Sequence, residues 1–206
     1  MIEINNISKT YPIRNGFHKV LDNINLQINS GDKLGILGTN GSGKSTLIRL
    51  ISGIEKPDTG KITRKLKVSW PLALSGGFQG SLSGLDNMKF ICRVYGVDYT
   101  EKEKELLEFT ELGKFLREEV KKYSAGMRAR LAFGISLLID FDCYLIDEIT
   151  SVGDAEFQEK CKHELFEKRS HKTFIIISHE EELLSKECNR FIVVNNAKIQ
   201  EFFFFL

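Results

Sequence analysis

The chain carries almost no net charge: 29 basic and 28 acidic residues leave +1 over 206 positions. A field that weak does not recruit nucleic acid or an anionic membrane, so no nucleic-acid partner is expected. No apolar run approaches the roughly 18 residues that cross a bilayer. Met1-Ile2-Glu3-Ile4-Asn5 lacks the basic-then-apolar layout of a signal peptide. No fixed-period repeat and no low-complexity linker interrupts the chain. Cysteine is sparse and scattered. Cys92, Cys143, Cys161 and Cys188 form no C-x-x-C pair, which reads as free thiols in a reducing cytosol rather than disulfides or a zinc site. What is left, 42% apolar and 28% charged residues, suits a soluble globular protein with one good core or a core plus a smaller subdomain.

One octet stands out. Gly38-Thr39-Asn40-Gly41-Ser42-Gly43-Lys44-Ser45 meets the pattern G-x-x-x-x-G-K-[ST] at every fixed position. Residues 32–38 read as a short apolar strand and residues 45–52 as the first turns of a helix, which disfavours the plain alternative of a flexible Gly/Ser turn. Gly38, Gly41 and Gly43 let the backbone curl so that successive N–H groups point at phosphate oxygens. The helix N-terminus adds partial positive charge there. Lys44 would reach the β- and γ-phosphates and the Ser45 hydroxyl would ligate Mg²⁺, with Asn40 and Thr46 completing the nucleotide contacts.

Two further segments carry chemistry. In Tyr144-Leu145-Ile146-Asp147-Glu148 an apolar strand ends in adjacent carboxylates, and a buried charge needs a metal or a partner. Asp147 is then a candidate Mg²⁺ ligand opposite Ser45, and Glu148 the base or positioning group for an attacking water. The plain alternative is a strand running into a polar loop. Ser124 is a good N-cap for the helix after it, leaving the N–H groups near Gly126 to grip an oxyanion; an ordinary capped helix explains it equally well.

The hydrophobic pattern places strands at 2–7, 20–28, 33–37 and 61–68, helices at 85–94, 101–111 and 124–139, and then strand–helix alternation. Strands at 143–146 and 173–177, helices at 156–169 and 180–188, and a hairpin turning at Asn195-Asn196 complete it. The implied domain is α/β: residues 1–79 and 136–206 form a core with a β part, and 80–135 a helical insertion.

Taken together, these segments resemble the ATP-binding cassette family, the ATPase subunits of ABC transporters. The resemblance covers nearly the whole chain. It implies a P-loop NTPase with a RecA-like core, an inserted helical subdomain and an N-terminal antiparallel β part. Tyr11 looks like the aromatic residue that stacks on adenine, and Gln79 like the glutamine that senses Mg²⁺ and water. Ser151-Val152-Gly153-Asp154 looks like the loop that crosses the dimer interface, and His179 like the switch histidine at the γ-phosphate. Each has a plain reading too: an edge-strand aromatic, a surface amide, a loop histidine. Two departures are visible. Tyr123-Ser124-Ala125-Gly126-Met127 replaces the usual Leu-Ser-Gly-Gly-Gln signature, losing one polar side chain and placing alanine where a positive φ would be strained. Val152-Gly153 replaces the usual Ala-Leu.

Residues 68–84, 123–133 and 147–155 look more closely like capsular-polysaccharide export ATPases, whose relatives export O-antigen or teichoic acid. Exporters of O-antigen often carry an additional C-terminal carbohydrate-binding domain, for which a chain ending at residue 206 leaves no room; capsule is therefore the preferred substrate. The resemblance implies a homodimer with ATP and Mg²⁺ at two equivalent sites, Ser124 and Gly126 of one copy facing the phosphate loop of the other. It also implies an integral-membrane permease as partner and a peripheral position on the cytoplasmic face of the inner membrane, the glycan itself not being contacted. Phe78, Leu82, Phe90 and Tyr95 are candidates to dock the permease or simply to pack the helices. A soluble non-transport ATPase and a low-turnover regulator are the readings of another class. The closing run Phe202–Leu206 is read as a last strand, a partner contact or a truncated end.

Overall fold

Ile2 and Ile4 turn the even-numbered side of the opening strand into the core, yet Ile7 joins them from an odd position. That change of parity needs an inserted residue. The computed structural model, which describes residues 1–72, 77–147 and 153–203, supplies it: Asn6 has φ +52° and the pairing register shifts between Ile4 and Ile7. Asn23, at φ +54° on the partner strand, accepts a hydrogen bond from Asn6 Nδ2 at 2.8 Å. Strand β1 (Ile2–Ile13) thereby runs well past Ile7, and β2 (Gly16–Ile28) begins before Val20. The expected strand at 61–68 is two strands of different sheets, β4 (Thr59–Arg64) and β5 (Val68–Pro71).

β2, β1 and β4 form an antiparallel sheet. The larger sheet has the order β5-β6-β7-β3-β8-β9, built with β3 (Lys33–Leu37), β6 (Cys143–Asp147), β7 (Thr173–Ile177), β8 (Arg190–Asn195) and β9 (Lys198–Phe203). It is parallel except for β9. Every residue of β7 is buried, and every residue of β6 before Asp147, as strands covered on both faces require. The β8–β9 turn has positive φ at Asn196 and Ala197, which suits the twist of a tight hairpin. The terminal strand extends the expected one to Phe203, with Phe202 opposite Phe191; residues 204–206 lie outside the described residues.

Helix α1 (Lys44–Ser52) follows β3 directly and ends at Gly53, φ +85°. Arg64 of β4 donates to the carbonyls of Leu50 and Ile51 at 2.5 and 2.6 Å, satisfying the helix's unpaired C-terminal acceptors. α6 (Glu181–Glu187) follows β7. Both sheets, α1 and α6 belong to one compact unit.

The other unit holds α2 (Gly84–Val94), α3 (Lys102–Thr110), α4 (Ala125–Leu138) and α5 (Ala155–Lys162). The expected helix at 156–169 is shorter, continuing as one wide turn over His163–Glu167. α4 is buried all round from Leu131 to Leu138 rather than along a stripe. Phe109, Phe133 and Phe157 meet around it with ring centroids 5.3–6.4 Å apart. Gly134 is what lets α3 approach: a Cβ there would lie 2.5 Å from Thr110 Cγ2. Among the described residues no helix is long and apolar enough to cross a membrane.

All four cysteines are buried and free. Burial pushes the Cys143 and Cys188 thiols up to about 12, and raises Cys92 and Cys161 as well. Since the thiolate is the reactive form, native protein at pH 8 is expected to label with an aromatic disulfide reagent far more slowly than denatured protein, which should release four equivalents. Rapid native labelling would contradict this packing.

Candidate nucleotide-binding site

The turn between β3 and α1 is made by glycines that no other residue replaces cheaply. Gly38, Gly41 and Gly43 have φ of +144°, +79° and +109°. A Cβ on Gly38 would lie 2.5 Å from the Val194 carbonyl oxygen, and one on Gly43 2.8 Å from Val20 Cγ1. The loop is closed across itself by the buried residue Lys44, whose Nζ donates to the carbonyls of Gly38 and Thr39 at 2.7 and 3.0 Å. α1 starts without a side-chain cap and without an acidic residue in its first turn. Its first N–H groups thus remain available to an anion. Ser42 Oγ is buried with no hydrogen-bond partner among the described residues, a further polar atom awaiting one.

Asn40, Gly41, Gly43, Lys44, Ser45 and Thr46 line an open cleft of about 230 Å³ together with His18, Val20, Asp147 and Ile177. Asp147 arrives because β6 pairs in parallel with β7, setting Asp147 opposite Ile177. The Ser45 hydroxyl and the Asp147 carboxylate on one cleft suit Mg²⁺, which takes one or two protein ligands and completes its shell with phosphate oxygens and water. Glu148 lies outside the described residues. His179 is exposed two positions beyond Ile177, in the turn where buried Ser178 accepts from the Glu180 N–H at 3.0 Å.

Tyr11 stands opposite His18 in the β1–β2 hairpin. Its hydroxyl donates to the Glu55 carboxylate at 2.8 Å and accepts from Arg49 at 3.2 Å. Neither Arg49 nor Glu55 is visible as a partner in the sequence, because the two lie far from Tyr11 along the chain and no periodic pattern links them.

In the helical unit, Gln79 is exposed, its backbone clamped at N–H and carbonyl by the side chain of Asn87 at 2.9 and 3.2 Å. Ser124 and Gly126 are exposed at the start of α4, Ser124 accepting from the Met127 N–H at 3.2 Å. Ala125 opens this helix without a positive φ, so the strain expected of alanine does not arise. Asp154 caps α5 by accepting from Phe157 and pairs with Arg130 of α4 at 2.6 Å. The Phe157 N–H first, and then Arg130, hold its carboxyl below the usual range. Leu82 and Phe90 are 40% and 61% exposed; Phe78 and Tyr95 are half-buried.

Residues 21–151 match the family model described as ABC transporter. The chain is 53% identical to the ATP-binding protein BexA of Haemophilus influenzae, the match covering 98% of this chain and 93% of that protein. It is 52% identical to the capsule polysaccharide export ATP-binding protein CtrD of Neisseria meningitidis serogroup B, covering 98% and 94%. The similarity to the teichoic acids export ATP-binding protein TagH of Staphylococcus epidermidis is 40%, over 88% of this chain and 70% of that protein. In fold, the structure matches a dimeric ATP-binding cassette, MJ0796 bound to ADP and Pi, with a TM-score of 0.81 at 23% identity over 98% of both chains.

Proposed function

The chain belongs to the ABC transporter family, and on that premise we propose that it is the ATP-hydrolysing subunit of an exporter of capsular polysaccharide. One observation carries the ATPase half: the phosphate loop, Ser45 and Asp147 line a single cleft. The export half rests on 52% identity to a capsule polysaccharide export ATP-binding protein over nearly the whole chain, higher than the 40% to the teichoic acids export protein.

In this reading the loop N–H groups and Lys44 hold the triphosphate, and Tyr11 stacks on the base. Mg²⁺, held by Ser45 and Asp147, would neutralise charge on the phosphate oxygens. Glu148 orients the attacking water, with Gln79 and His179 completing the site. Ser124 and Gly126 serve the nucleotide of a second copy, so that the working unit is a homodimer which ATP closes and hydrolysis releases. The permease docks on the exposed apolar side chains of the helical unit, keeping the chain peripheral on the cytoplasmic face of the inner membrane.

The test is affinity purification of the tagged chain from detergent-solubilised membranes, with identification of its companions. A multi-span permease co-purifying with Mg²⁺-dependent ATPase activity is expected. A chain recovered with ribosomes, or with no membrane protein, would remove the transport assignment while leaving the ATP site intact.

A further inference from the structure

We propose that Glu55 and Arg49 are positioning residues for the nucleotide base: they lock the Tyr11 ring into a stacking platform and tie it to Thr46, at the start of the helix that follows the phosphate loop. The inference rests on the reading of Tyr11 as the residue that stacks on the base. Arg49 Nε donates to Glu55 Oε2, and its terminal nitrogen to both Tyr11 Oη and Thr46 Oγ1, all at 3.2 Å. Thr46 is buried and lines the phosphate cleft. One guanidinium therefore joins Tyr11 to a residue of the phosphate cleft. The loop after α1 turns Glu55 back under the helix, where its N–H donates to the Arg49 carbonyl at 3.2 Å. Lys9 completes the cluster, its Nζ 3.1 Å from Glu55 Oε1 and 5.5 Å from the Tyr11 ring centre. Burial pushes the Glu55 carboxyl up, and the bonds from Tyr11, Lys9 and Arg49 outweigh it and hold it below its ordinary range.

The chemistry of this cluster sets what the ring can do. A phenol has one proton to donate, and Tyr11 gives it to Glu55 while accepting from Arg49. The hydroxyl is committed, so on this reading a base would be recognised by a face of the ring, with the Lys9 ammonium over the ring 5.5 Å from its centre. Stacking is tolerant of base identity, since every base has a π-face. Holding the ring in place removes the rotamer entropy that a free tyrosine would lose on binding.

The test is calorimetric titration of the full chain with Mg·ATP and with Mg·tripolyphosphate, which has the phosphates but no base, alongside steady-state ATPase kinetics. Tyr11→Ala is expected to weaken ATP binding about tenfold or more. Glu55→Ala and Tyr11→Phe are each expected to weaken it about three- to tenfold. In these variants tripolyphosphate affinity should stay within about twofold, and in Glu55→Ala the loss should fall on KM rather than kcat. Glu55→Ala added to Tyr11→Ala should cost nothing further. Retained tripolyphosphate binding also shows that each variant is folded; if Glu55→Ala is not, Glu55→Gln and Tyr11→Phe carry the test. Equal weakening of ATP and tripolyphosphate, or full additivity with Tyr11→Ala, would overturn the inference. So would an effect of Tyr11→Ala with none from Glu55 or from the hydroxyl, which leaves the stacking role standing. If Tyr11→Ala leaves ATP affinity unchanged, the stacking role falls and the inference with it.

Discussion

Replacing Lys44 with alanine is expected to lower ATP turnover by about a hundredfold or more, the scale on which a single preorganised donor to developing charge acts. Two properties of this side chain combine. Among the described residues lining the phosphate cleft it is the one lysine or arginine, and Lys19, which lines the adjoining hollow beside Asn40 and Gly41, is paired with Asp22 at 3.1 Å. Lys44 Nζ also braces the loop by bonding the carbonyls of Gly38 and Thr39. Removing it takes one donor from both carbonyls, Thr39 still accepting from the Ser42 N–H at 3.2 Å, and would leave a bound triphosphate without this cation. Lys44→Arg separates the two effects: the charge remains, but a planar fork does not fit where a compact ammonium reaches two carbonyls and a phosphate. It is expected to be nearly as inactive. Phosphate release at saturating Mg·ATP measures both variants, with circular dichroism to confirm the fold. Turnover within about threefold of the parent chain would remove Lys44 from the site.

The parts of the site that were legible in the sequence are those written locally. The octet 38–45 carries its glycines, lysine and serine within one turn of chain, and the apolar run before Asp147 announces a buried strand that ends in a charge. Strands buried on both faces were legible for the same reason, β7 being apolar after its first residue. What was hidden depends on inserted residues or on tertiary partners. The bulge at Asn6 breaks the alternation that would have carried β1 past Ile7. Only Lys65-Leu66-Lys67 separates β4 from β5, with no glycine, proline or asparagine to mark the change of sheet. The Tyr11–Glu55–Arg49 cluster is assembled by the fold alone. So is the clamp of Asn87 on Gln79, an asparagine buried at 2% exposure that reads in the sequence as an ordinary polar position of α2.

Glu148→Gln is expected to separate ATP binding from hydrolysis more sharply than any change in the phosphate loop. β6 is buried from Cys143 to Ile146, and Asp147, the first residue to emerge, lines the cleft. Two adjacent carboxylates at this strand end would divide the work: Asp147 toward Mg²⁺, Glu148 toward the water. Glutamine keeps the shape of glutamate but neither accepts a proton nor carries the charge that aligns the attacking water. Loss of a positioned base lowers kcat by about 10²–10⁴-fold, while the loop, Lys44 and Ser45 still hold Mg·ATP. If ATP closes a homodimer as proposed, binding without turnover would keep it closed, so a stable dimer should accumulate with ATP on size-exclusion chromatography and be absent with ADP. Asp147→Asn is expected to behave differently, losing turnover together with Mg²⁺-dependent binding, because it would remove the proposed metal ligand rather than the proposed base. Rapid turnover of Glu148→Gln, or a chain that stays monomeric with ATP, would assign the base to another residue and withdraw the ATP-closed homodimer.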